Sequence, residues 1–290
     1  MISILIPAKN EAAGLSLILP AIKKLYPDAE IIIVNDASTD NTQEIAELYA
    51  DRVISHPYSK GNGAAIKSGL RVARGDVLVC MDADGQHSPE DIPLLINKIS
   101  EGFDMVVGAR NKKGQANIHR GLANLFYNHF SSWMVGHKVE DLTSGFRAIH
   151  AKKFREFLTL LPNKFSYPTT ITMSFFRAGY SVGYVSVEVK SRLAGTKSHI
   201  RPWQDGIRFL LIIFKIGTFF SPLKLFSPIS LSLFLLGVIY YIHTYFNDGR
   251  FTNMGALLFT TSILVFLMGL ISEQITSLIY KDTNENADEE

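Results

Sequence analysis

The chain has a single cysteine among its 290 residues, Cys80, which rules out an internal disulfide. Its place inside an apolar run fits a small core residue in a reducing compartment. No run of Lys or Arg occurs and the formal net charge is only +2, so the electrostatic footprint of a nucleic-acid-binding protein is missing. The 8 histidines show no metal-ligand spacing of the His/Cys type. A dinucleotide fingerprint is also absent. The stretch Gly61-Asn62-Gly63-Ala64-Ala65-Ile66-Lys67-Ser68-Gly69 has the wrong glycine spacing and no Walker lysine, which argues against a dehydrogenase and a P-loop ATPase. Met1 leads into Ile2-Ser3-Ile4-Leu5-Ile6-Pro7 without a basic segment, and that run is too short for a secretory signal, so the N-terminal part is expected to remain in the cytosol. Internal repeats and low-complexity tracts do not appear.

What is present is unevenly spread. Leu225 to Phe246 and Met254 to Ser272 contain no Lys, Arg, Asp or Glu, and each is close to the ~20 residues a helix needs to cross a bilayer. The short connection Asn247 to Asn253 makes them an antiparallel hairpin. Arg201, Arg208, Lys215 and Lys224 precede the pair and Lys281 follows it, whereas the connection offers only Arg250. Both termini are therefore expected on the cytoplasmic side. Trp203 to Phe220 reads as an amphipathic helix at the membrane surface, with Asp205, Arg208 and Lys215 on its polar side. Glu273, near the end of the second run, suits a headgroup position or a bond within an oligomer. Asp282 to Glu290 reads as a disordered acidic tail. The expected organisation is a catalytic domain over 1–200, a juxtamembrane helix over 201–224, the hairpin over 225–280 and the tail over 281–290.

Short apolar runs alternate with helical patterns through the first half, the mark of a mostly parallel sheet flanked by helices. Strands are predicted at Ile2–Ile6, Ala29–Val34, Arg52–Ser55, Val77–Met81, Asp104–Gly108 and Val182–Val189. Leu15, Ile18, Leu19, Ile22 and Leu25 recur at helical spacing, and a second helix starts after Thr39-Asp40-Asn41. From Arg110 to about Phe165 the pattern is irregular, with helical segments around Leu122–Met134 and Ala151–Leu161. Ligands of such sheets collect beyond the carboxyl ends of the strands. Polar segments fall there after the first, second and fourth strands: Pro7-Ala8-Lys9-Asn10-Glu11, Asn35-Asp36-Ala37-Ser38-Thr39-Asp40 and Asp82-Ala83-Asp84-Gly85-Gln86.

Asp82 and Asp84 offer two carboxylates one residue apart at the end of a buried strand, an oxygen site for a hard divalent cation that serves phosphate, with Gln86 as a third oxygen. Asp36 supplies an acceptor for a ring N–H of a nucleobase, while Asp40 suits a helix cap. Glu11 is placed to accept from ribose hydroxyls. The glycines from Gly61 onward are expected to bring a helix N-terminus close to a nucleotide, with Lys60 or Lys67 near its phosphates.

In this order the segments just quoted, with Lys60-Gly61-Asn62-Gly63, Gly108-Ala109-Arg110 and Asp141-Leu142-Thr143-Ser144-Gly145-Phe146-Arg147, resemble the family 2 glycosyltransferases of GT-A fold, a Rossmann-like α/β architecture. The similarity covers about 1–220 and is greatest to the polyprenyl-phosphate branch, whose bacterial members carry a two-span tail. It implies metal-dependent, inverting transfer from a UDP- or GDP-sugar to a polyprenyl phosphate, with dimers or tetramers, in a bacterial or archaeal plasma membrane. Pro7, Ala8, Asn10, Glu11, Val34, Asp36, Lys60, Asp82 and Ala83 would then hold the nucleotide. Mg2+ or Mn2+ would sit on Asp82, Asp84 and Gln86. Arg110, Arg120, Arg147, Arg192, Lys197 and Ser198 would meet the acceptor phosphate, a task suited to N–H forks. The catalytic set so implied is Asp84, Asp141, Arg110 and Arg147, where Asp141 either orients a substrate or caps the Ser144-Gly145 turn. Two departures stand out: Asn35 replaces an aspartate the family often has, and Gly195-Thr196-Lys197-Ser198-His199 replaces the usual Gly-x-Ser-Lys. No Gln-x-x-Arg-Trp motif is present, which weighs against a processive polymer synthase.

Overall fold

The computed structural model describes residues 1–110, 118–164, 166–190, 218 and 221–285, the side chains of 118–124, 248 and 279–285 excepted. The chain divides into two compact units, Met1–His199 and Ile200–Glu290.

In the first unit the order is β1 (Ile2–Ala8), α1 (Ala12–Leu25), β2 (Glu30–Asn35), α2 (Thr42–Tyr49), β3 (Arg52–Ser55), α3 (Asn62–Val72) and β4 (Val77–Cys80). A 3-10 turn at Pro89–Asp91 leads into α4 (Ile92–Ser100). Then come β5 (Met105–Arg110), α5 (Ile118–Val135), β6 (Arg147–His150), α6 (Ala151–Arg155), α7 (Tyr167–Arg177) and β7 (Val182–Val187). The strands form a 7-stranded sheet in the order β3-β2-β1-β4-β6-β5-β7, parallel throughout except for β6, which runs against both neighbours. Ile4-Leu5-Ile6, Ile31 to Val34 and Leu78-Val79-Cys80 are wholly buried, as expected of central strands covered on both faces. On one of those faces α1 lays down Leu15, Ile18, Leu19 and Ile22, the side chains whose helical spacing forecast the helix. Cys80 is wholly buried, and burial pushes its thiol up to about 12, which leaves it inert.

The structure differs from the sequence pattern mainly between Arg110 and Phe165. β6 was not anticipated: it has only four residues, Arg147-Ala148-Ile149-His150, and begins with a charged side chain. The expected helix at Ala151–Leu161 is only the short α6, and α7, opened by Ser166 and Pro168, was missed. Yet β6 decides the geometry of the sheet edge. Cys80 pairs with Arg147, so the start of the reversed strand lies beside the end of β4, and the residues before it, Asp141 to Gly145, arrive at the same edge.

The second unit holds α8 (Pro222–Asp248) and α9 (Asn253–Glu285), each long and apolar enough to cross a membrane. α9 includes Asp282 to Glu285, so this part of the expected tail is helical. The amphipathic stretch from Trp203 lies outside the described residues apart from Thr218. Glu273 accepts from the backbone N–H of Leu223 at 3.2 Å, capping the neighbouring helix of its own hairpin. Farther along, Ser230 Oγ donates to the Ser262 carbonyl and Ser262 Oγ to the Ser230 carbonyl, both at 2.9 Å. In lipid such interhelical bonds replace the hydrophobic drive between helices. A double-mutant cycle of Ser230→Ala and Ser262→Ala, read as hairpin unfolding in mixed micelles, should give a coupling of about 1 kcal/mol; additive losses would mean that the reciprocal pair does not form.

Candidate active site

A cleft of about 550 Å³ opens at the carboxyl edge of the parallel strands. Pro7 and Ala8 from the end of β1, Asp36 after β2, and Asp82, Ala83 and Asp84 after β4 line it, together with Glu11 at the start of α1. The opposite wall is Thr143 and Gly145 before β6, and Lys164, Ser166, Tyr167 and Pro168 leading into α7.

Asp36 is 4% exposed, and its carboxylate is fully engaged. One oxygen accepts from His56 Nδ1 and Lys60 N, both at 2.7 Å; the other accepts from Ser59 Oγ at 2.7 Å and Gly61 N at 2.9 Å. Burial works against its ionisation, but these bonds outweigh burial and hold the carboxyl at about 2. Asp36 therefore organises the loop between β3 and α3, with His56 relayed at 2.9 Å to Ser68. The same carboxylate lines the cleft, and its roughly four lone-pair sites face four protein donors. Asn35 shapes the preceding turn, accepting from Ser38 N at 2.9 Å, and Ala37 sits in the left-handed region at φ 58. Asp40, one residue before the N-cap Asn41, accepts from Thr42 N at 3.1 Å at the start of α2.

Other expected ligands are placed differently. Asn10 accepts from Thr39 N at 2.7 Å, Val34 is wholly buried in β2, and Lys60 Nζ lies 5.7 Å over the Tyr58 ring; none of them lines the cleft. Gly61, Asn62 and Ala65 bring the α3 N-terminus to the cleft, while Gly63 N donates to the Lys164 carbonyl at 3.3 Å, Ala64 N to the Asn163 carbonyl at 2.8 Å, and Lys67 Nζ to the Leu161 carbonyl at 3.1 Å. The glycines admit this segment of protein. A Cβ on Gly63 would stand 2.0 Å from the Pro162 carbonyl oxygen.

Asp82 and Asp84 meet the requirement for a hard cation. Both line the cleft, and Gly145 packs so closely on Asp82 that a Cβ there would come within 2.6 Å of its carboxylate. Gln86 Nε2 donates to the Lys190 carbonyl at 3.2 Å, outside the lining of the cleft. Among the described residues no three His, Cys, Asp or Glu side chains converge on a metal site. Mg2+ and Mn2+ suit such a pair, because they are commonly held by one or two carboxylates with the remaining ligands from substrate phosphate and water. Next to the pair, His87 stacks on Phe146 with ring centroids 4.9 Å apart, and burial keeps its pKa low.

Asp141 both caps and pairs. It accepts from Thr143 N at 3.1 Å and Ser144 N at 3.2 Å, and takes the Arg110 fork at 2.7 and 2.9 Å. Burial opposes its charge, but the hydrogen bonds and the Arg110 cation prevail and lower its pKa. Arg147 does not reach the cleft as expected for an acceptor-phosphate ligand. It is wholly buried, its guanidinium taken by the Ser144 carbonyl, the Pro168 carbonyl at 3.2 Å and Thr172 Oγ1 at 3.1 Å. Arg192, Lys197 and Ser198 lie outside the described residues, as does the side chain of Arg120. The sequence reading did not single out Lys9, Ser59, Thr143, Lys164, Ser166, Tyr167 or Pro168 as site residues. For the last group the available signal was the helix start Ser166-Tyr167-Pro168, with Ser166 Oγ accepting from Thr169 N at 3.4 Å.

A mostly parallel sheet with an acidic cleft along its carboxyl edge, followed by an apolar hairpin, defines a membrane-anchored glycosyltransferase of GT-A type. The chain belongs to glycosyl transferase family 2, whose family model matches residues 3–158, and residues 221–278 match the GtrB C-terminal hairpin. CsbB of Bacillus subtilis, a candidate glycosyltransferase, is 29% identical over 300 residues, covering 97% of this chain and 88% of its own. Polyprenol monophosphomannose synthase of Mycolicibacterium smegmatis is 31% identical over 207 residues, 66% of this chain and 78% of that protein. The fold is shared with glucosyl-3-phosphoglycerate synthase of Mycobacterium tuberculosis, solved with Mn2+ and UDP-glucose: TM-score 0.57 at 21% identity, over 75% of this chain and 78% of that one.

The Asp36 network has a pH signature. Its carboxyl titrates near 3.8 when unfolded and at about 2 when folded, so its contribution is complete above the unfolded value and is lost as pH falls through the folded one. The contribution is on the order of 2 kcal/mol. In denaturant unfolding, wild type should exceed Asp36→Asn at neutral pH and converge with it as pH drops from about 5 to about 2; a gap independent of pH would refute the assignment.

Proposed function

We propose that this glycosyltransferase moves a sugar from a UDP- or GDP-sugar to a polyprenyl phosphate at the cytoplasmic membrane face, with inversion at the anomeric carbon. The observation that carries this reading is the joining, in one chain, of a cleft lined by Asp82 and Asp84 to a hairpin able to cross a bilayer. The cleft suits the diphosphate of a soluble donor, and the hairpin keeps the enzyme beside an acceptor that stays in the membrane. The name of the Mycolicibacterium relative supports the same acceptor class.

Asp82 and Asp84 would hold a divalent cation of Mg2+ or Mn2+ type, whose chemistry is to offset charge gathering on the departing nucleoside diphosphate. Pro7, Ala8 and Glu11 receive the nucleoside, Glu11 accepting from its ribose. Arg110, already oriented by Asp141, is assigned to the acceptor phosphate with Arg120, Arg192, Lys197 and Ser198. A phosphate monoester has its second pKa near 6 and is largely dianionic at neutral pH, so the attacking oxygen carries no proton to remove. The task left to the protein is positioning and exclusion of water.

The test is incubation of the purified chain in micelles with a short polyprenyl phosphate and a panel of labelled UDP- and GDP-sugars. One donor should yield an acid-labile glycolipid, and chelation or Asp84→Ala should cut the rate by roughly 100-fold or more. Normal transfer by Asp84→Ala would remove the metal assignment; no glycolipid from any donor would remove the acceptor.

A further inference from the structure

In a doubly wound sheet the natural phosphate site is the N-terminus of a helix that follows a strand. Here the α3 N-terminus reaches the cleft through Gly61, Asn62 and Ala65, but two of its N–H groups are taken by protein. The N–H groups of Gly63 and Ala64 are spent on the carbonyls of Lys164 and Asn163, and Lys67 clamps the same segment through the Leu161 carbonyl and Asn163 Oδ1. The clamp carries one side chain to the cleft wall, that of Lys164.

The charge lining the cleft is mainly negative: Glu11, Asp36, Asp82 and Asp84 face Lys9 and Lys164. Lys9 Nζ donates to Ser59 Oγ at 2.9 Å, within the loop that Asp36 organises. Among the described residues the Lys164 ammonium has neither a carboxylate nor a hydrogen-bond acceptor, and the side chain is exposed. Its backbone, in contrast, is held firmly: a Cβ on Gly61 would come within 3.0 Å of Lys164 Cα. A cation on an anchored backbone, in a cleft that must admit a dianionic diphosphate past carboxylates, has an evident counter-ion.

The geometry points to Lys164 as a donor-binding residue whose ammonium pairs with the diphosphate of the nucleotide-sugar, beside the α3 N-terminus. This rests on the proposed donor class and adds the residue that recognises its charge. Lys67 acts through the segment it clamps and is a positioning residue.

Isothermal titration of the full chain in micelles with UDP and with GDP, each with Mg2+, tests the assignment. Wild type should bind one of them, and Lys164→Met should weaken that binding about tenfold or more, the worth of one charge-assisted hydrogen bond. Lys164→Arg keeps the charge and should stay within about threefold of wild type. Both variants should melt as wild type does, because the side chain is exposed. Binding by Lys164→Met at wild-type strength overturns the assignment, and so does equal weakening in Lys164→Arg, which would mean shape rather than charge. If wild type binds neither diphosphate, the donor reading itself fails and this assignment with it.

Discussion

A guanidinium buried beneath the cleft holds its far wall together. Arg147 has no solvent exposure and, among the described residues, no carboxylate within salt-bridge distance; its donors go to the carbonyls of Ser144 and Pro168 and to Thr172 Oγ1, with the Tyr167 ring below. A buried cation is tolerated only when its donors are satisfied, and removing a partner costs several kcal/mol. The two carbonyls belong to the two segments that form the wall, 143–145 and 166–168. Any movement of one against the other would strand part of the fork. Tyr167 adds a second tie by donating to the Gly145 carbonyl at 3.2 Å. The position of Gly145 in turn sets the space left for Asp82.

The same residue explains what the sequence concealed. Strands such as Ile31–Val34 are legible because continuous apolar runs must be covered on both faces, and polar loops at their carboxyl ends mark the site edge. β6 carries neither signal. It is four residues long and opens with Arg147, a residue type rarely buried alone, which the resemblance assigned to a phosphate. Only the pairing of Cys80 with Arg147 shows that the strand is central and reversed. Glycines from Gly61 onward report close approach to a helix N-terminus, and here that approach is shared between the cleft and the Pro162 carbonyl. Asp82 and Asp84, by contrast, were readable, because a carboxylate pair directly after a buried strand has no covering role to play in the core.

In the hairpin, composition disclosed the spans but not what joins them. Length and absence of charge follow from the bilayer. The interhelical contacts do not, since lipid is as apolar as leucine and packing must come from small and polar residues. Ser230 and Ser262 look unremarkable in the sequence, and Glu273 looks like a boundary residue. Together they bind α8 to α9 at two levels, near the start of α8 and farther along it.

Several carboxylates in this protein accept main-chain N–H groups, Asp84 among them through Gln86 N at 3.1 Å. Asp36, Asp40 and Asp141 take main-chain N–H groups and so turn loops into rigid edges. Asp82 and Asp84 stand where those edges meet. On the proposed reaction the nucleophile arrives already deprotonated, so the chemistry asks less for a general base than for a cleft that does not relax when a dianion enters. Ionised carboxylates held low by several hydrogen bonds provide that stiffness, because each would have to release main-chain donors before its loop could move.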